Sequence, residues 1–259
     1  MKIMIVNSSG NVGKSLVSRE LFYPRFEDPL IIEVETVNKG SKEMKDLNVY
    51  QFKSGEDFTN IYLKMMENEN VIVDVGASNL ADFWEQMKGF AGIEDLFDLF
   101  IVPTVPAEKE MTDTFKTIQF LKSEGIDEEK IKVIFNRVKK SVENEFAVLL
   151  AAPFNFETDL FIYEKTSLFN DLGFLGKTIK DIYNADVDAY KQKILTSKDP
   201  KEKITLLKMD LANRQAVKVK EDLDRIFERI TDMPSAWVEE TKKTKTNTKK
   251  QGEEEDEDL

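Results

Sequence analysis

The chain has 259 residues, a net charge of −12 at pH 7 and 41% hydrophobic residues. That is apolar content for a sizeable core, and the acidic balance disfavours nonspecific binding of the whole body to phosphate backbones. With no cysteine and no histidine, disulfides, thiolate or imidazole zinc sites, Cys nucleophiles and His bases are excluded.

In chain order, the first apolar run is IMIVN (Ile3 to Asn7), too short for a signal peptide. It leads into SSGNVGKS (Ser8 to Ser15) and a helical stretch over Lys14 to Phe22. Four further runs share its continuous apolar, β-branched character: LIIEVE (Leu30 to Glu35), VIVDVG (Val71 to Gly76), LFIVPT (Leu99 to Thr104) and IKVIFN (Ile131 to Asn136). Strands covered on both faces of a parallel sheet read this way, and DLFIY (Asp159 to Tyr163) adds a sixth. Helical segments lie between them at Phe58 to Glu67, Leu80 to Lys88, Lys109 to Ser123 and Ser141 to Leu150. The alternation predicts an α/β fold, a doubly wound, mostly parallel sheet flanked by helices.

After Thr166 the pattern turns helical, over Leu175 to Tyr183, Val187 to Leu195 and Lys201 to Ile230. These segments are expected to pack on the flank as a C-terminal helical extension, within one domain over residues 1–232. The remainder, 233–259, is expected to be a disordered charged tail. From Thr241 it holds five lysines and then six consecutive acids, with almost nothing apolar to bury. No apolar stretch reaches the roughly 18 residues of a membrane span, so a cytoplasmic protein is expected.

The chemistry concentrates at strand ends. SSGNVGKS sits between a strand and a helix, where backbone N–H groups and a helix N-terminus can hold phosphates. Gly10 and Gly13 are expected to take the backbone angles this needs. Lys14 would reach the β- and γ-phosphates and the Ser15 hydroxyl would ligate magnesium. Gly10, Asn11, Val12, Gly13, Lys14, Ser15 and Leu16 are the candidate cofactor-binding residues. Asp74 ends a strand where an acid can hold magnesium through water, so Ser15 and Asp74 are the candidate metal residues. Glu33 and Glu35 alternate along a strand and are suited to position a water or the hydrated metal. Asn136 ends a later strand, where its amide can hydrogen-bond an adenine edge. It is followed by Arg137, Val138 and Lys139 rather than by the N-K-x-D continuation of common GTPases, which favours ATP.

Together, GNVGKS, the acidic second strand, VIVDVG, IVPT and IFNR resemble the ParA/MinD superfamily of deviant Walker ATPases, which place plasmids, chromosomes and division machinery. Within it, NSSGNVGKS followed by IIEVETVN looks most like the StbB-type plasmid stability proteins. The resemblance covers Met1 to Phe169. It implies catalytic roles for Lys14, Glu35 and Glu33, with Glu35 assisting hydrolysis and Glu33 near the metal. It also implies ATP and Mg2+ as cofactors and a Mg-ATP-dependent switch in plasmid stability, partition or DNA positioning. The implied partners are a second copy, through nucleotide-dependent self-association as dimer or polymer, and a DNA-bound adaptor; direct DNA contact is left open. One departure stands out: Ser9 occupies the place of the family's signature lysine, and Asn11 replaces the second glycine. A metabolic kinase or ligase on the same fold is the alternative, as is an ATP-binding interaction protein that does not hydrolyse.

Overall fold

The computed structural model describes residues 1–34, 47–52, 58–164, 168–169, 172 and 175–238. Its centre is a seven-stranded sheet: β1 (Lys2–Ile5), β2 (Leu30–Val34), β3 (Val49–Phe52), β4 (Val71–Val75), β5 (Leu99–Thr104), β6 (Ile131–Val138) and β7 (Phe161–Tyr163). The strand order is β3-β2-β4-β1-β5-β6-β7, and every pairing is parallel. Because β4 inserts between β1 and β2, Asp74 lies beside Ile5 on one neighbour and Glu33 on the other.

Helices cover both faces, so the sheet is doubly wound as expected. On one face pack α2 (Phe58–Glu67), α3 (Leu80–Lys88), α4 (Glu108–Ser123), α5 (Val142–Glu145) and α6 (Ala147–Leu150), over a core that includes Met4, Val73, Phe83, Trp84 and Phe100. The other face carries α1 (Lys14–Leu16), its continuation through Phe22, and a C-terminal extension of α7 (Ile179–Tyr183), α8 (Val187–Thr196) and α9 (Pro200–Thr231). There Ile3, Ile5, Ile72 and Ile101 meet Val17, Phe22, Ala216 and Phe227. Alternate residues of one strand thus enter two different cores, which is why the strand runs are continuously apolar.

The helix expected over Lys14 to Phe22 is α-helical for one turn only. From Val17 to Phe22 it is π-helical, with Tyr23 N–H donating to Ser18 O, five residues back. The stretch expected over Ser141 to Leu150 breaks at Phe146 (φ −116°, ψ 20°) into α5 and α6. The segment expected to begin at Leu175 becomes α7 only at Ile179. Gly176 turns left-handed, and Thr178 opens a new helix with a capping box to Asp181. The sequence reading contained no strand at Val49–Phe52, where the short edge strand β3 pairs with β2. Within Met233–Val238, which were assigned to the tail, Trp237 and Val238 lie against the body: Val238 N–H donates to Pro24 O at 3.0 Å and Trp237 stands edge-on to Tyr183. Residues 239–259 lie outside the described residues.

Candidate nucleotide site

The loop leaving β1 is anchored at both ends. At its start, buried Asn7 donates to Pro103 O (2.9 Å) and to Thr114 Oγ1 (2.8 Å), while its Oδ1 accepts from Ser9 N–H (2.8 Å). Thr114 in turn donates to Thr104 Oγ1, and Thr117 Oγ1 accepts from Ser8 N–H at 3.1 Å. The N-terminal half of the loop is therefore bolted to β5 and α4 by side chains rather than shaped by glycine. At its other end, Asn136 Nδ2 donates to Val12 O (3.1 Å) and Asn136 Oδ1 accepts from Arg137 N–H (2.8 Å).

Between these anchors the backbone turns through Asn11 at φ 56° and Gly13 at φ 103°. Gly10, expected to need glycine's freedom, has no positive φ, and a Cβ there would meet nothing within 4 Å. Asn11 takes the left-handed position instead, which asparagine tolerates better than most residues. Among the described residues, the N–H groups of Gly10, Asn11, Val12 and Gly13 donate to no protein acceptor. Lys14 closes the loop from inside, its Nζ donating to the carbonyls of Asn7 (3.2 Å) and Ser9 (2.8 Å). A run of unused donors ending in a lysine is a cradle for an anion.

The fold is that of the P-loop NTPases. No protein-family model matches the chain, and no curated protein matches it. Among solved structures, it is similar to the cell division ATPase MinD of Pyrococcus furiosus (16% identity, TM-score 0.49, covering 83% of this chain and 98% of that one). It is also similar to a ParA family ATPase from Chlorobium tepidum TLS (13%, TM-score 0.48, 82% and 96%). A third is a plasmid partition protein from Borrelia burgdorferi B31 solved with AMPPNP (15%, TM-score 0.46, 81% and 98%).

Around the P-loop, Asp74 and Glu33 are buried and lie side by side as register partners on β4 and β2. They follow Ile72 and Ile31 by two residues, so all four point to the face covered by α1. That brings Asp74 to the same side of the sheet as Ser15. Glu33 Oε2 also accepts from Gln51 Nε2 of β3 at 3.5 Å, a partner that the missed strand supplies. Glu35 lies outside the described residues. Among the described residues no group of three or more carboxylates is assembled to hold a metal. One hydroxyl and one carboxylate, both hard oxygen donors, suit a magnesium ion that keeps waters and takes phosphate oxygens, rather than an all-protein cage.

Ser9 is only 1% exposed, and its hydroxyl has no protein partner among the described residues. It points into the fold and extends no cation outward. Arg137, the nearest basic residue in sequence to Asn136, is exposed with φ 60°. Sequence reasoning missed Asn7 and its threonine partners. Their contacts join residues about a hundred positions apart, and no local pattern marks them.

Burial also shapes a group behind the loop. Glu20, in the π-helical stretch, accepts from Ile179 N–H at 2.8 Å. Loss of solvent pushes its carboxyl up to about 7, against the opposing pull of that N–H, Arg19 and Arg25. Its carboxylate ties the P-loop helix to the start of α7. Farther out on α9, Arg214, Lys220 and Arg225 are each paired with an aspartate of the same helix, so these cations do not form an open basic patch. Among the described residues, no helix is long and apolar enough to cross a membrane.

Proposed function

We propose that this chain is an ATP-binding switch of the ParA/MinD kind, loaded with Mg-ATP and reset by slow hydrolysis, acting in plasmid stability, partition or DNA positioning. The observation that carries it is the loop whose N–H groups from Gly10 to Gly13 have no protein acceptor among the described residues, closed by Lys14, with Asp74 on the adjacent strand. In this reading the loop amides of Gly10 to Leu16 bind the phosphates, and the Lys14 ammonium exchanges loop carbonyls for phosphate oxygens. Ser15 and Asp74 hold the magnesium, which supplies charge neutralisation for in-line attack by water. Glu33, with Glu35 two residues on, orients that water. Asn136 sets the loop's position through Val12 O, and its second amide hydrogen would be the group offered to an adenine edge.

A second reading, binding without turnover, is favoured by Ser9. A buried serine supplies no charge to a developing transition state, whereas such cations contribute strongly to phosphoryl transfer.

Calorimetric titration with ATP and magnesium tests the binding. Wild type is expected to bind, and Lys14→Ala to lose at least tenfold in affinity; equal binding by both proteins would sink the proposal. Phosphate release, measured alone and with DNA, separates the switch that turns over from the one that does not. Turnover stimulated only by a small metabolite would instead favour a kinase or ligase.

A further inference from the structure

Asp74 and Glu33 stand on β4 and β2, to one side of β1 in the strand order, while β5 and β6 lie to the other. A nucleotide whose γ-phosphate faces the two acids therefore extends its base the other way, over the carboxyl ends of β5 and β6. There β6 runs out through Asn136, Arg137 and Val138.

Asn136 is poorly placed to read a base edge. It is 2% exposed, its Nδ2 donates to Val12 O, and its Oδ1 accepts from Arg137 N–H. The amide is a peg under the loop, so close that a Cβ on Gly13 would stand 2.3 Å from Nδ2. With Oδ1 engaged, one amide hydrogen is left for a ligand. Adenine and guanine both offer N7 as an acceptor and differ beside it, where adenine has an amino donor and guanine a carbonyl. A lone donor meets both alike. Nor is guanine singled out, because Lys139 stands where N-K-x-D has its aspartate, with its Nζ 3.3 Å from Glu164.

Arg137 has the opposite character. Its backbone is left-handed at φ 60°, an angle that long side chains rarely adopt, and β6 slips register against β7 between Phe135 and Val138. The bond from its N–H to Asn136 Oδ1 holds this turn, so Arg137 and the phosphate loop are fixed by the same amide. Its side chain is exposed. Arg19, Arg25, Arg214, Arg225 and Arg229 each donate to a carbonyl or a carboxylate. Among the described residues, the Arg137 guanidinium has no such acceptor.

We propose that Arg137 is the base platform of the nucleotide site: its guanidinium lies flat on the purine ring, and the site takes adenine and guanine nucleotides with similar affinity. A planar cation is attracted to an aromatic face without reading the groups at its edge. This widens the nucleotide reading above, on which it rests, from ATP to purine nucleoside triphosphates.

Calorimetric titration of the full chain with magnesium and ATP, GTP or inorganic tripolyphosphate tests it. Wild type is expected to bind ATP and GTP within about threefold of each other and tripolyphosphate, which has no base, at least about tenfold more weakly. Arg137→Ala should weaken both nucleotides by about tenfold and leave tripolyphosphate unchanged. Arg137→Gly, which suits the left-handed angle, should show the same loss without backbone strain. Arg137→Lys keeps the charge but not the plane and should not restore binding. Wild type that binds none of the three ligands overturns the nucleotide reading and this platform with it. If tripolyphosphate and ATP bind, a preference for ATP over GTP of about tenfold or more overturns the platform alone. So does unchanged nucleotide affinity in Arg137→Ala and Arg137→Gly, or an equal loss for tripolyphosphate, which would mark a phosphate contact instead.

Discussion

A methyl group at Gly13 would stand 2.3 Å from Asn136 Nδ2, at a backbone angle of φ 103° that side chains rarely adopt. At Gly10, three residues earlier, the same methyl group would meet open space. Gly13→Ala is therefore expected to destabilise the fold by about 2–4 kcal/mol and to weaken ATP binding, while Gly10→Ala changes stability by less than about 1 kcal/mol. Urea denaturation of the two variants side by side measures the contrast. The GKS end of the loop was legible because Gly13, Lys14 and Ser15 act through backbone angle and local reach. The other end was not, since its shape comes from Asn7 bonding Thr114 across the fold.

At the scale of elements, the π-helical stretch and α7 meet through buried Glu20. Its carboxyl rises on folding from 4.5 to about 7 because burial disfavours the charge. The folded state thus holds a proton that the unfolded state has released between those values. The stabilisation is complete below about 4.5 and lost as pH rises through about 7, on the order of 3 kcal/mol in all. Glu20→Gln should flatten stability between pH 5 and 8 and leave the variant more stable than wild type at pH 8, read by thermal melts across that range. Element type followed from apolar runs and helical periodicity, as in β4 and α9. The misplaced boundaries have local causes: Phe146 leaves helical angles between α5 and α6, and Gly176 separates Leu175 from α7. At β3, VYQF is four residues long and sits on a sheet edge, so its sequence lacks the continuous apolar run that burial on both faces imposes.

Across the whole molecule, Trp237 and Val238 return to α7, α9 and the turn that ends the helical stretch after the loop. Trp237 stands edge-on to Tyr183 at 5.1 Å and under Lys220 Nζ at 4.8 Å, while Val238 bonds Pro24 and Lys180. Trp237→Ala is expected to cost about 2–3 kcal/mol by removing aromatic area and the cation contact, with earlier proteolysis near the C-terminus as a second readout. The sequence by itself determined the sheet's parallel character, the phosphate-loop candidate and the acids at strand ends, because periodicity and local backbone chemistry act over a few residues. Strand order, the partnership of Asp74 with Glu33 and the threonine anchors of the loop were decided only in the tertiary structure. So was the burial of Ser9. Each depends on contacts between residues distant along the chain, and packing rather than local preference selects them.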